Sequence, residues 1–426
     1  MSKKSNSNFS HKPRFFYGYI IMSAGFCVWF VGWGSHATAF GVFLKPLLNE
    51  FGWSRAEASL AYSLAFIVQA SMAIVVGSLT DKVGPRFVIT IFGSFLGIGY
   101  MFLSQIDFLW QFQLIYALAG GIGGSSLTIP IMVTMGRWFV KRRGLMVGIV
   151  QTGMSFGGFL FPIFAGWLIL TNGWRTAYVV LGIITFTCMF LSGLLLKRKP
   201  SDIGQYPDGV DTLKMPEEGS KDSKTKGTDF CFREAIRTHQ FWMIGGLLFS
   251  FGFCRSTFRP HLVVQDLGFT LAEGANILAL TAATSMLGRI GMGRLSDKIG
   301  NRQTFAISFA ATAIALYCGL VARDLLTLYV FALFYGFGWG AQAVLRFTLT
   351  PEIFGLESIG LIVGVLGFIE AGAATIGAYF AGLVFDVAGS YNPAFWTGIA
   401  ISSAAIFLAI GIKPIVGRGE KTLQGK

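Results

Sequence analysis

The sequence predicts an all-α membrane protein of twelve transmembrane helices in two pseudo-symmetric six-helix bundles. Three observations carry that prediction. The first is composition: 53% of the 426 residues are hydrophobic and 13% are charged, about half the charged share of an average soluble domain. The second is length, because apolar stretches long enough to cross the hydrocarbon core recur from one end of the chain to the other. The third is a repeat. Gly77-Ser78-Leu79-Thr80-Asp81-Lys82-Val83-Gly84-Pro85-Arg86 returns as Gly293-Arg294-Leu295-Ser296-Asp297-Lys298-Ile299-Gly300-Asn301-Arg302, and 297 − 81 gives an offset of 216 residues. At that offset Phe51-Gly52-Trp53-Ser54 maps onto Leu267-Gly268-Phe269-Thr270, and Gly144 and Gly148 map onto Gly360 and Gly364. The capping-box spacing Ser54…Glu57 likewise maps onto Thr270…Glu273. A period this long marks two equivalent halves, since solenoid repeats run about 20–50 residues.

The elements follow in order. A polar, basic tail (1–15) precedes the first span, 16–43, whose apolar run is far too long for a signal-peptide core. Spans two and three, 57–80 and 87–105, flank the Asp81 motif, which is therefore a polar hairpin. Span four, 109–136, ends at the basic cluster Arg137, Lys141, Arg142 and Arg143. Span five, 144–170, carries Gly144, Gly148, Gly153, Gly157 and Gly158; glycines four apart let helix backbones approach, and close packing is the favoured reading over a moving role. Span six, 175–196, completes the N-terminal bundle, 16–196.

Residues 197–239 hold Pro200, Pro207, Pro216 and alternating charge from Glu217 to Lys226, too polar to bury, and read as a soluble linker. Within it Phe230–Arg237 reads as an amphipathic helix lying on the membrane. The C-terminal bundle, 240–412, repeats the plan with spans at 240–263, 272–293, 303–321, 325–349, 359–385 and 391–412. The eleventh of these bears its own glycine series, Gly360, Gly364, Gly367 and Gly372, and 413–426 form a tail.

The net charge of +13 does not indicate nucleic acid, because the basic residues sit in short loops and tails beside hydrophobic spans. One side of the membrane collects Lys82, Arg86, Arg137, Lys141, Arg142, Arg143, Lys298, Arg302, the linker and both tails; the other holds little beyond Lys45, Arg55, Arg175 and Arg323. By the positive-inside rule the basic side is cytoplasmic, with both termini inside the cell membrane. The loop Glu352–Glu357 runs against the bias without reversing it. The five cysteines form no metal or disulfide spacing, so neither a metal nor a cofactor is expected. No nucleotide loop or nucleophile motif supports an enzyme or an ATP-driven pump.

Ionisable groups at bilayer depth cost several kcal/mol unless they face a cavity or a partner. By depth these are His36, Arg255, Arg259, Arg289, Arg346 and Glu370, with Lys45 and His261 nearer the outer surface. All but one are cationic or become so, and a cavity so lined attracts anions. Arg289 is the strongest candidate. It lies eight residues before Asp297, about 12 Å from the hairpin at 1.5 Å per residue. Its fork suits a carboxylate, and its mate at −216 is Ala73. Arg255 and Arg259, four apart, share a face as an access funnel or, the favoured reading, a structural stack. His36 is expected to face neighbouring helices, and Lys45 and His261 to snorkel at the outer mouth.

Each copy of the repeated hairpin resembles the signature loop of the major facilitator superfamily, G-x-L-x-D-x-x-G-x-[RK]. In that family the motif aspartate and basic residues tie the halves together on the cytoplasmic face, which here implies a conformational gate of Asp81, Arg86, Asp297 and Arg302, with Arg137 as a partner of Asp81. Arg137-Trp138-Phe139-Val140-Lys141-Arg142-Arg143-Gly144-Leu145-Met146-Val147-Gly148 resembles the fourth-to-fifth loop of monocarboxylate transporters. Gly41–Ser54, Gly173-Trp174-Arg175 and Gly288-Arg289 are similar to that branch and its bacterial oxalate/formate-antiporter relatives. In both groups the arginine at the position of Arg289 binds the carboxylate.

The resemblance also brings Trp339, Thr38, Thr128 and Ser285 to the site, with departures. Thr38 and Thr128 stand where the oxalate exchanger has tyrosines, Thr38 where animal carriers have a proton-accepting lysine, Ser285 where they have an aspartate, and Glu370 where the exchanger has a second cation. Arg346, seven residues from Trp339, shares its helix face. The proton relay of the family is thus not reproduced residue for residue, and Glu370 is the replacement: ionised it pairs with Arg289 or Arg346, protonated it frees the arginine for substrate. A permanent, purely structural Glu370–arginine pair is the standing alternative. The expectation is a monomeric secondary carrier in the lipid bilayer, moving a lactate- or pyruvate-type anion with a proton. The rivals are an oxalate/formate-type exchanger and a non-transporting sensor of carboxylates.

Overall fold

The structure, a computed structural model, describes residues 15–209, 230–258 and 270–413; among these the side chains at 37, 38, 271, 272 and 275 are not described. The described residues form twelve long helices and no strand. In chain order they are α1 (Gly18–Phe51), α2 (Arg55–Lys82), α3 (Pro85–Leu103), α4 (109–138), α5 (143–172) and α6 (174–195). The second half holds α7 (His239–Thr257), α8 (Leu271–Ile299), α9 (Asn301–Leu320), α10 (Leu325–Phe354), α11 (Ile359–Ala388) and α12 (Asn392–Gly411). Among the described residues, eight helical stretches are long and apolar enough to cross a membrane. One of them, 143–195, is α5 and α6 joined through Gly173, whose φ of 80° turns the chain back within one residue.

The repeat governs the helix starts. Residues 55, 85, 109 and 143 begin α2 to α5, residues 271, 301, 325 and 359 begin α8 to α11, and each pair differs by 216. Both predicted capping boxes form: Ser54 and Glu57 exchange bonds at the start of α2, and Thr270 and Glu273 do so at α8. Several helices outrun their apolar cores, α1 reaching Phe51 and α8 Ile299, because backbone hydrogen bonding continues into polar sequence where nothing caps it earlier.

Packing differs between the halves. The N-terminal half shares one continuous apolar cluster, Ile21 to Leu196, which also takes in Val344, Phe347, Ile359 and Val363 of the other half. The C-terminal core divides in two, one cluster toward the basic face and one away from it. On four of its helices a buried polar residue falls between the clusters: Arg289, Thr312, Glu370 and Ser402.

The segment 197–209 is fastened under the N-terminal half. Trp138 Nε1 donates to the Lys197 carbonyl at 3.0 Å, Arg198 donates to the Asp81 carbonyl, and Asp208 Oδ2 accepts from the backbone N–H groups of Val140 and Lys141. The amphipathic surface helix expected at Phe230–Arg237 is instead a single turn, Phe232–Ala235. It packs on protein: Phe230 sits edge-on to Phe354, and Ala235 is fully buried. Too few residues are helical to present a membrane-facing stripe.

Candidate functional site

The basic face is closed by two reciprocal contacts. The Asp81 carboxylate, at the end of α2, accepts from the backbone N–H of Leu361 at 3.0 Å, in the first turn of α11. Its 216-residue mate, Asp297 on α8, accepts from Gly144 N at 2.8 Å and Leu145 N at 3.0 Å, in the first turn of α5. The first turn of a helix leaves N–H groups without intrahelical acceptors and carries the positive end of its dipole, so an anion is stabilised there. The contacts need glycine beneath them. A Cβ at Gly144 would run into the Gly293 carbonyl oxygen, and one at Gly77 into that of Gly360.

The two latches are not identical. Arg137 Nη2 donates to Asp81 Oδ1 at 3.0 Å and to the Leu356 carbonyl at 3.2 Å, whereas among the described residues Asp297 has no ion pair within 4 Å. Two expected gate residues lie elsewhere. Arg302 donates to the Ile412 carbonyl at 2.7 Å, within its own half, and Arg86 is exposed. The helix starts supply the donors that the motif arginines were expected to provide.

Above this closure lies a cavity of about 240 Å³ walled by both halves. The N-terminal wall is uncharged. The first helix contributes Trp29 and Trp33 from a π-helical stretch, Trp29–Thr38. Helix α4 breaks at 126–128, and Pro130, lacking an N–H, stands in the first turn of the helix that restarts at Ile129; Ser125 and Thr128, on either side of the break, line the cavity.

The charged wall belongs to the C-terminal half. Arg289, 2% exposed, reaches across to α5, where Nη1 donates to the Gln151 carbonyl at 2.9 Å and to Ser155 Oγ at 2.7 Å. Its guanidinium carbon stands 5.8 Å from the centre of the Trp339 ring. Its Nε has no hydrogen-bond partner, and no carboxylate pairs with it among the described residues. Arg346 is different: it forms an ion pair with Glu370, itself 8% exposed, and lies 4.5 Å over the Phe347 ring. Of the two partners open to Glu370 the fold selects Arg346.

Arg255 also lines the cavity and its Nε has no partner. A place on the cavity wall agrees with the funnel reading of the Arg255–Arg259 pair; Arg259, on which the stack reading depends, and His261 lie outside the described residues. Helix α7 runs 16 residues from His239 to Arg255, about 24 Å, which carries Arg255 beyond the level of Arg289 toward the opposite face.

Thr128, Trp339, Arg346 and Glu370 line the cavity with Arg289. Ser285 does not. Gly340 of α10 packs against its backbone, and its hydroxyl turns back to donate to the Ala282 carbonyl at 2.8 Å. The side chain of Thr38 is outside the described residues. His36 lies inside the N-terminal half, stacked on Tyr62 and Tyr116 in the space left by Gly120. A search for charges in apolar spans passes over uncharged groups, and so it missed Gln69, Gln151 and Ser155. Two glutamines in otherwise apolar helices were the available signal.

The family profile of the Major Facilitator Superfamily matches residues 21–290 and, again, 248–425. The chain is 29% identical to the MFS-type transporter 1 of Ophiocordyceps sp. (strain BCC 1869) over 93% of its length and 85% of that protein. It is 26% identical to monocarboxylate transporter 13 of Rattus norvegicus, covering 84% of this chain and 80% of the other. Against the oxalate:formate antiporter of Oxalobacter formigenes the identity is 27%, covering 90% and 88%. Among solved structures, the proton:xylose symporter XylE with 6-bromo-6-deoxy-D-glucose bound superposes with a TM-score of 0.72 at 14% identity, over 93% of this chain and 96% of that one.

Proposed function

The chain belongs to the major facilitator superfamily as a multi-pass membrane transporter rather than an enzyme, and we propose that it carries a small monocarboxylate of the lactate or pyruvate type together with a proton. The observation that supports this reading most directly is the charge balance at one depth of the cavity. Arg346 is neutralised by Glu370, which among the described residues leaves Arg289 as the cation at that level without a carboxylate. One uncompensated guanidinium takes one carboxylate, by two parallel charge-assisted hydrogen bonds.

Alternating access then follows as rocking of the halves about the site. The latches of Asp81, Arg137 and Asp297 hold the basic face shut, and their release would give the cavity access from that face. We place that basic face, both termini and the linker in the cytoplasm, the chain in the cell membrane, and the working unit as a monomer. Protonation of Glu370 would release Arg346 and add a second positive charge to the cavity, so proton and anion favour each other's binding. Trp339 and Thr128 would flank the bound acid.

The test is radiolabelled uptake in proteoliposomes across mono- and dicarboxylates, with and without an inward-acid pH gradient. Accumulation of a monocarboxylate driven by the gradient is expected. A Glu370→Gln protein should lose the dependence on the gradient while still exchanging anion; unchanged pH dependence removes Glu370 from the coupling. Arg255 favours a second reading, an organic-anion exchanger of the oxalate/formate type, because a further cation on the same cavity, without an ion pair among the described residues, suits a dianion. Counterflow separates the two, since exchange requires anion inside the vesicle and symport requires the gradient.

A further inference from the structure

The monocarboxylate reading describes the head of the ligand and leaves its body open. Resting on that reading, we propose that the preferred substrates are monocarboxylates bearing an aromatic ring, of the aryl-lactate and aryl-pyruvate class, over plain three-carbon acids. Rings line both walls of the cavity, Phe251, Trp339 and Phe347 on the C-terminal side, but charge is confined to one. Its charges come from the C-terminal half alone, while the facing N-terminal wall presents Trp33, Tyr62 and Phe66, all half-buried. A ligand with one charged end and one flat apolar end matches both walls at once: carboxylate on Arg289, ring among the N-terminal aromatics. Ring pairs at such distances prefer offset or edge-on arrangements and add stability beyond the area they cover.

Volume agrees. An apolar cavity of about 150 Å³ accommodates a benzene ring. The cavity here is about 240 Å³, so roughly 90 Å³ remains beyond a ring of that kind, room for the acid end. A three-carbon acid alone would leave the faces of Trp33 and Phe66 against water, a poor arrangement for an apolar surface. The ring also extends the substrate's contact with the N-terminal half beyond Thr128.

Lactate and phenyllactate differ by the ring alone and are the matched probes. Uptake of each, labelled, is measured in proteoliposomes of the full chain, with counterflow to show that phenyllactate is carried and does not merely block. Half-saturation by phenyllactate is expected at about a tenfold lower concentration than by lactate. Trp33→Ala should narrow that ratio about fivefold, the scale of one lost aromatic contact, with Phe66→Ala as the second variant where Trp33→Ala does not reach the membrane. Lactate half-saturating at or below phenyllactate, or a ratio unmoved by both variants, overturns the aromatic preference and leaves the monocarboxylate reading standing. Exchange of oxalate with neither lactate nor phenyllactate carried overturns both.

Discussion

The two halves of this chain share four of their six helix starts to the residue and differ in what they bring to the cavity. At the 216-residue offset Arg289 faces Ala73, Arg346 faces Pro130, Glu370 faces Met154 and Arg255 faces Ala39. Every charge on the cavity wall comes from the C-terminal half, and that half's core is the one divided into two clusters. The difference teaches where the cost of the site falls. Groups that bind an anion interrupt an apolar core, and here the interruption is confined to one half. The other keeps a continuous core and supplies rings, small polar groups and backbone carbonyls. Symmetry is retained where the fold needs it, at helix starts and latches.

The largest effect should come from Arg289. An Arg289→Gln protein is expected to lose carboxylate uptake by at least about a hundredfold, the scale of losing a charge-assisted bidentate contact, while folding as the parent does by size-exclusion profile. Full uptake would end the claim that the C-terminal wall holds the anion. Next is the buried ion pair. Removing one partner strands a charge and costs about 3–5 kcal/mol, so Arg346→Leu should lower the melting temperature in detergent markedly. The double variant Arg346→Leu with Glu370→Leu should recover most of that loss, which a purely one-sided role for Arg346 would not allow.

The latches offer finer tests. A leucine at Gly144 or Gly77 cannot sit against the opposing backbone carbonyl, so either substitution should open the basic face. The readout is faster modification of cysteines introduced on the cavity wall by a reagent applied from that face. Asp81→Asn should shift the same readout more than Asp297→Asn, by about 1 kcal/mol in the opening equilibrium, because Asp81 alone also holds Arg137. Equal shifts would show that the helix-start contacts act alone.

Much of this was legible in the chain itself. The repeat predicted the two halves, the capping boxes and the positions of the latch aspartates, because all three depend on local spacing. Arg289 was legible from the cost of an arginine in lipid. What lay beyond the sequence depends on angles between helices. Nothing along the chain says that Glu370 meets Arg346 and not Arg289, that Gly340 packs over Ser285, or that Arg255 turns inward. The contributions of Gln151 and Ser155 were hidden for another reason: an uncharged polar group in an apolar helix costs little enough to pass as packing. The break in α4 was foreshadowed by Gly120, Gly121, Gly123, Gly124 and Pro130, yet the run remained apolar enough to read as one helix.

The reciprocity of the latches has a consequence for assembly. Each half offers one carboxylate to the other's fifth helix and receives one in return, on equivalent residues. Two copies of a single half, related by a two-fold axis, would satisfy both exchanges through one isologous contact. The fused chain therefore preserves the joining surface of a homodimer, and severing it between residues 209 and 230 should leave two fragments that recognise each other when expressed together.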